Sequence, residues 1–164
     1  DMLGERGLWY KMNMFEHSAR VPLIMSGPGV ANGTSDNPCS LVDLLPTLLD
    51  IAGQEKPELA MPIDGRSLWP LAKGENEDDR EAIVEYCAEC ASHPIFMIRR
   101  GDYKYIHCDV DPPQLFNIKE DPEELIDLIG NLYKEEDFSK IESKFRKQIN
   151  NPPPAFDNLS LIHI

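Results

Sequence analysis

Basic charge is scarce in this 164-residue sequence: 16 lysines and arginines face 29 aspartates and glutamates, for a net charge of −13. Seven bases against fourteen acids in residues 1–82, and nine against fifteen in residues 83–164, leave neither a basic arm nor an acidic tail. Phosphate attraction needs positive surface, so the composition argues against nucleic acid and anionic membrane as partners. No apolar run approaches the roughly 18 residues that a membrane-crossing helix needs. No secretory leader is recognisable either. There is no glycine-rich phosphate loop, no G-x-S-x-G and no H-E-x-x-H, so the chain holds no complete catalytic constellation of its own. Cysteine is sparse, with four in all: Cys39, Cys87, Cys90 and Cys108. Cys87 and Cys90 form a C-x-x-C, but a zinc site wants a second spaced pair and His107–Cys108 is adjacent. A redox pair wants a helix N-terminus, whereas this one follows the strand-like Ala82–Ile83–Val84. These are expected to be ordinary thiols of a reducing compartment, which places the protein in the cytoplasm.

What is present is an ordinary globular balance, 41% hydrophobic and 27% charged. Residues 1–14 have no clean period and read as a loop. Arg20 to Met25 is a short apolar run ending at Gly27-Pro28-Gly29, expected to be a buried strand and a turn. Ser40 to Ala52 reads as an amphipathic helix closed by Gly53, with Asp43 three residues after Ser40 as in a capping box and Pro46 expected to kink it. Asp64 to Ala72 reads as a turn and a short helix, and residues 75–81 as an acidic loop. Four strands are expected at Glu81–Cys87, Ile95–Arg100, Tyr103–Cys108 and Gln114–Ile118, the middle two joined by a hairpin at Arg100-Gly101-Asp102. A turn at Asp121-Pro122, a helical turn over Glu124–Leu132 and an amphipathic helix over Glu135–Ile149 follow. The chain thus reads as α/β and then as a small antiparallel sheet packed with a long helix.

Five runs of residues occur in a telling order. They are Asp1 to Lys11, then Phe15 to Ile24, then Val42-Asp43-Leu44-Leu45-Pro46-Thr47-Leu48, then Asp64-Gly65-Arg66-Ser67-Leu68, and last Leu115 to Leu125 with Asp121-Pro122 within it. Together they resemble the sulfatases of the alkaline-phosphatase superfamily over about residues 1–130. Met2 to Lys11, Glu85-Tyr86-Cys87-Ala88-Glu89, Met97 to Cys108 and Asp111-Pro112-Pro113-Gln114-Leu115 are similar to the choline-sulfatase subgroup; Cys90, where the family usually has glycine, departs from it. The resemblance implies the C-terminal part of an alkaline-phosphatase-like sulfatase fold. It divides into residues 1–80 of the catalytic α/β domain, a small α+β subdomain over 81–150, and an irregular or artefactual tail over 151–164. It also implies a fragment. The family's nucleophile, a formylglycine made from a Cys- or Ser-x-Pro-x-Arg motif, and its divalent metal, taken as calcium, would lie upstream, and no metal ligand is assigned here.

Sulfate ester hydrolysis sets two electrostatic problems, an anionic sulfuryl group and a departing alkoxide, and a fixed ammonium relieves both. Lys11 stands where the resemblance puts that catalytic, sulfate-binding lysine. A choline head group is a quaternary ammonium that donates no hydrogen bond, so it is held by aromatic faces and a carboxylate. Glu89, or Glu85 as second choice, is the implied carboxylate, and Trp9, Tyr10 and Phe15 are candidate walls. Glu16 and Arg20 are spaced to pair as i, i+4; His17 is expected to be structural. Arg99 is expected to face solvent and Arg100 a neighbouring acid. The expected activity is hydrolysis of choline O-sulfate by a longer protein, a homo-oligomer, with this piece inactive and poorly folded alone. The alternatives are a phosphonate or phosphate monoester hydrolase of the same superfamily and a non-catalytic packing module.

Overall fold

The order of elements follows from where apolar residues alternate. A computed structural model of the chain describes residues 1–54, 62–75, 77, 79–87 and 91–129. The helix expected over 135–149, the tail, Glu89 and Cys90 lie outside the described residues. Four strands, β3 (Glu81–Tyr86), β4 (Ile95–Arg100), β5 (Tyr103–Cys108) and β6 (Asp111–Asn117), form an antiparallel sheet in the order β3-β4-β5-β6. The β4–β5 register pairs Arg100 with Tyr103, leaving Gly101-Asp102 as a two-residue turn. Gly101 has φ 54°, the left-handed conformation that such a tight hairpin demands. The last strand begins three residues earlier than its apolar run suggests, at Asp111, and includes Pro112 and Pro113. Proline donates no ladder bond, so it is tolerated here because β6 lies at a sheet edge.

The sheet is buried on both faces, and its two cores are made by different parts of the chain. Ile98, Tyr105 and Leu115 pack on one side with Ile129 and Leu128. Met97, Ile106, Phe116 and Ile118 pack on the other with Met14, Phe15 and Ala19 of the N-terminal segment. Each fully buried Leu115 or Phe116 contributes about 1.5–3 kcal/mol by its removal from water. This second core docks the opening loop on the sheet. The loop itself is a two-residue ladder of β1 (Met2–Leu3) with β2 (Trp9–Tyr10), bridged by a tight turn at Glu5–Gly7 and followed by one helical turn, α1 (Glu16–Ala19).

Three expectations fail locally. Residues 20–25 form no ladder, and Val21, Leu23 and Ile24 are exposed, Ile24 by 88%. A fully apolar strand needs neighbours on both edges and faces, and the described residues supply none. The expected kink at Pro46 is absent because α2 (Leu44–Ile51) begins only two residues before it, after a tight turn at Leu41–Asp43. Pro46 therefore sits in the first turn, where the missing N–H has no intrahelical acceptor to lose. Residues 124–128 are not helical. Glu124 has φ 54°, Leu115 N donates to Asp127 Oδ1 at 3.1 Å, and Leu128 N donates to Leu115 O at 2.8 Å, so pairing along the free edge of β6 wins over local helix formation. The short helix α3 (Trp69–Ala72) and the turn at residues 121–124 stand as expected.

Candidate active site

Two of the sequence motifs are tied together by one carboxylate. Asp43 Oδ2 accepts from Ser40 N at 2.9 Å, closing the expected capping box, and Asp43 Oδ1 accepts from Arg66 N at 2.9 Å. Thr47 Oγ1 donates to Asp43 O at 2.6 Å and accepts from Leu68 N at 2.8 Å. Gly65 is buried against this turn. A Cβ there would stand 2.0 Å from Val42 O, so only glycine lets the two segments approach. Arg80, 4% exposed, reaches Asp43 Oδ2 at 3.1 Å and also donates to the Ser67 and Arg66 carbonyls and to Glu77. Burial pushes the Glu77 carboxyl up, but hydrogen bonds and charge from Arg80 and Arg66 outweigh it and hold the group below its ordinary value. This cluster is structural. It fixes α2 and residues 64–68 to the start of β3.

Lys11 follows β2 directly, on a loop with left-handed backbone at Arg6 (φ 56°), Gly7 (φ 70°) and Tyr10 (φ 71°). Its ammonium is 61% exposed and meets only Asp1 Oδ1, at 3.7 Å, with that carboxylate 55% exposed. An ion pair so open to water is worth about 0–1 kcal/mol, and an arriving anion can displace it. Trp9 and Tyr10, 61% and 69% exposed, are not core residues and precede Lys11 directly in the chain. Phe15 is committed elsewhere: its ring packs edge-on to Phe116 with centroids 6.1 Å apart and carries the Arg6 guanidinium 4.0 Å over its face.

Glu85, exposed near the end of β3, accepts from the Cys87 thiol at 3.1 Å. Desolvation, then that hydrogen bond and the Glu85 charge, push the Cys87 thiol up to about 11. Such a thiol stays protonated at neutral pH, which fits the expected ordinary thiol and not a redox pair. Glu85 and Lys11 make no ion pair with each other. Glu85 lies at the end of the sheet where Tyr86 pairs with Ile95 and Ile95 with Cys108. At that end a small open recess of about 110 Å³ is lined by Asn13, Phe15, Ile95, Cys108, Asp111 and Gln114. Among the described residues, no three His, Cys, Asp or Glu side chains converge as metal ligands.

Sequence reasoning paired Glu16 with Arg20, and that contact exists only weakly, at 4.0 Å with Arg20 73% exposed. The stronger partner was missed: Lys104 of β5, fully buried, contacts Glu16 Oε1 at 2.9 Å and Glu124 Oε1 at 2.8 Å. The one available signal was a lysine between two tyrosines in a strand whose neighbours are apolar. His17 lies 3.8 Å from Glu123. Arg100 pairs with Glu81 as expected, while Arg99 Nε caps the Gly101 carbonyl at 2.8 Å.

The fold occurs in solved sulfatases. A protein solved in complex with its substrate D-glucosamine-2-N,6-O-disulfate superposes at TM-score 0.69 and 28% identity, covering 94% of this chain and 33% of its own. A 2-O GAG sulfatase superposes at TM-score 0.64 and 27% identity, covering 85% and 31%. The family model described as N-sulphoglucosamine sulphohydrolase, C-terminal, matches residues 4–153. The chain belongs to this sulfatase family and carries its C-terminal region. Among curated relatives, choline-sulfatase of Rhizobium meliloti is 49% identical over 131 residues, 80% of this chain and 25% of that protein. Arylsulfatase K of Rattus norvegicus is 37% identical over 164 residues, 93% of this chain and 28% of that protein. The chain thus spans between a quarter and a third of each of these proteins.

Proposed function

We propose that this chain is the C-terminal part of a sulfuric-ester hydrolase whose full-length form cleaves choline O-sulfate to choline and sulfate. The observation that carries the reading is the 49% identity to a choline-sulfatase, well above the similarity to the other sulfatases named above. The geometry is compatible with it. Lys11 is an accessible ammonium that follows two exposed aromatic residues in the chain, and Glu85 is an accessible carboxylate near the end of β3. In this proposal Lys11 binds a sulfate oxygen and stabilises charge as the ester oxygen departs. Glu89, or Glu85 as the second choice, and the faces of Trp9 and Tyr10 receive the trimethylammonium group. The oxidised nucleophile and the divalent metal, taken as calcium, belong to the upstream region, as does the larger share of a homo-oligomeric assembly. A cytoplasmic site of action is part of the same proposal. Cys39, Cys87 and Cys108 are free thiols, and no described helix is long and apolar enough to cross a membrane.

One observation favours a second substrate class. The relative solved with a glucosamine disulfate shares this fold over 94% of the chain, which makes a sulfated sugar the competing ligand. A sugar ring needs hydrogen-bond donors and acceptors, whereas a quaternary ammonium needs none. The experiment is a comparison of kcat/KM for choline O-sulfate, a glucosamine sulfate and a phosphate monoester with the full-length protein. Choline O-sulfate is expected to lead by at least tenfold. A leading sugar sulfate overturns the choline reading and keeps the sulfatase; a leading phosphate ester overturns both.

A further inference from the structure

Both feet of the lysine loop stand on a single residue. At the first foot, Arg6 Nη2 donates to the Glu123 carbonyl at 2.9 Å and to the Glu124 carbonyl. At the second, Glu16 N donates to Glu124 Oε2 at 2.6 Å. The other oxygen of the same carboxylate, Oε1, lies 2.8 Å from Lys104 Nζ, which also holds Glu16 Oε1 at 2.9 Å. Residues 6 to 16 therefore form a loop pinned at each end to Glu124, and Lys11 is at its midpoint. Glu124 is 1% exposed and adopts φ 54°, an unfavourable backbone for a non-glycine residue. Such strain persists where surrounding contacts over-determine it. The Arg6 guanidinium lies over the Phe15 ring, so the two feet also touch each other. Lys104 stands on the same sheet face as Phe116, which carries the edge of that ring.

We propose that Glu124 is a positioning residue for Lys11. Its carboxylate and carbonyl, through Arg6, Glu16 and Lys104, hold the loop that presents the ammonium. The proposal rests on the reading of Lys11 as the sulfate-binding lysine. The loop's own bonds are few: a two-residue ladder and a tight turn. Its left-handed positions at Arg6, Gly7 and Tyr10 would relax once either foot is free. An ammonium displaced by about 1 Å from a developing charge loses on the order of a hundredfold in rate. A loosened loop displaces Trp9 and Tyr10 together with Lys11, so ground-state binding of choline should weaken beside the chemical step.

The test is a double-mutant cycle in the full-length protein with choline O-sulfate as the probe. Lys11→Ala is expected to lower kcat by about 10²–10³, and failure of that step overturns the lysine reading on its own. Glu124→Gln keeps the shape and removes the charge. It is expected to lower kcat by about 10–100-fold, with KM rising as the loop's aromatic rings shift. The double variant is expected to be no slower than Lys11→Ala alone, because a misplaced side chain that is absent cannot be misplaced. Multiplicative losses, or an unchanged kcat for Glu124→Gln, overturn the positioning role while leaving Lys11 intact. If Glu124→Gln does not fold, Arg6→Ala decides, since it frees the exposed foot without stranding a buried charge. The same non-additivity with Lys11→Ala is expected there, and an additive result overturns the proposal.

Discussion

Replacing Gly65 with alanine should damage this protein more than its place in a surface turn suggests. The added Cβ would stand 2.0 Å from Val42 O, 2.5 Å from Val42 C and 2.8 Å from Asp43 N. All three atoms are backbone, so no rotamer change relieves the clash. Reaching the 3.0 Å floor of real Cβ contacts means a retreat of about 1 Å from Val42 O. The bonds across that gap are Arg66 N to Asp43 Oδ1 at 2.9 Å and Leu68 N to Thr47 Oγ1 at 2.8 Å, and a 1 Å retreat takes both out of range. Overpacking costs about 1–3 kcal/mol. The two lost bonds, one of them to a carboxylate, add about 1–3 kcal/mol each. The expected loss is therefore about 3–9 kcal/mol, with Arg80 losing part of its shell as well. Urea unfolding of full-length Gly65→Ala beside the parent protein reads it directly. A loss below about 1 kcal/mol would show that the two motifs are not in the contact described and would undo the argument for their coupling.

Other outcomes follow from the same structure. Asp43→Asn leaves the Arg80 guanidinium, 4% exposed, without its buried anion; it should destabilise by about 3–5 kcal/mol, whereas Arg80→Met with Asp43→Asn should recover part of that in a double-mutant cycle. Glu77 titrates below its ordinary value when folded, so its contribution is present at neutral pH and is lost as pH falls through the folded value. Glu77→Gln should lower stability at pH 7 and flatten the acid limb of a stability–pH curve, and an unaltered acid limb contradicts the assignment. Cys87, with its thiol raised to about 11, should alkylate far more slowly than a model thiol at pH 8, and Glu85→Gln should speed it; peptide mass spectrometry of iodoacetamide-treated protein reads both.

Elements that rest on local chemistry were legible in the sequence. The β4 and β5 boundaries, the Gly101 turn, the Ser40–Asp43 box and the short helix after Leu68 depend on alternation, turn residues and caps close together in the chain. What escaped depends on partners far away. Lys104 meets Glu16 across 88 positions, and no period links a strand lysine to a glutamate in a helical turn. Glu124 looked helical because its neighbours are good helix formers, yet Lys104, Glu16 and Arg6 draw it into a left-handed backbone. Residues 20–25 have a strand's composition without a strand's neighbours, and composition cannot report that difference. Of the candidate site, Lys11 and Glu85 were named from sequence, and the structure adds that both are exposed.

Steady-state turnover of choline O-sulfate by the full-length protein and its Lys11→Ala variant tests the central claim most directly, with matched melting temperatures showing that both are folded. The account predicts a fall in kcat of about 10²–10³. Parental turnover from the folded variant would mean that the ammonium at position 11 takes no part in handling the sulfate.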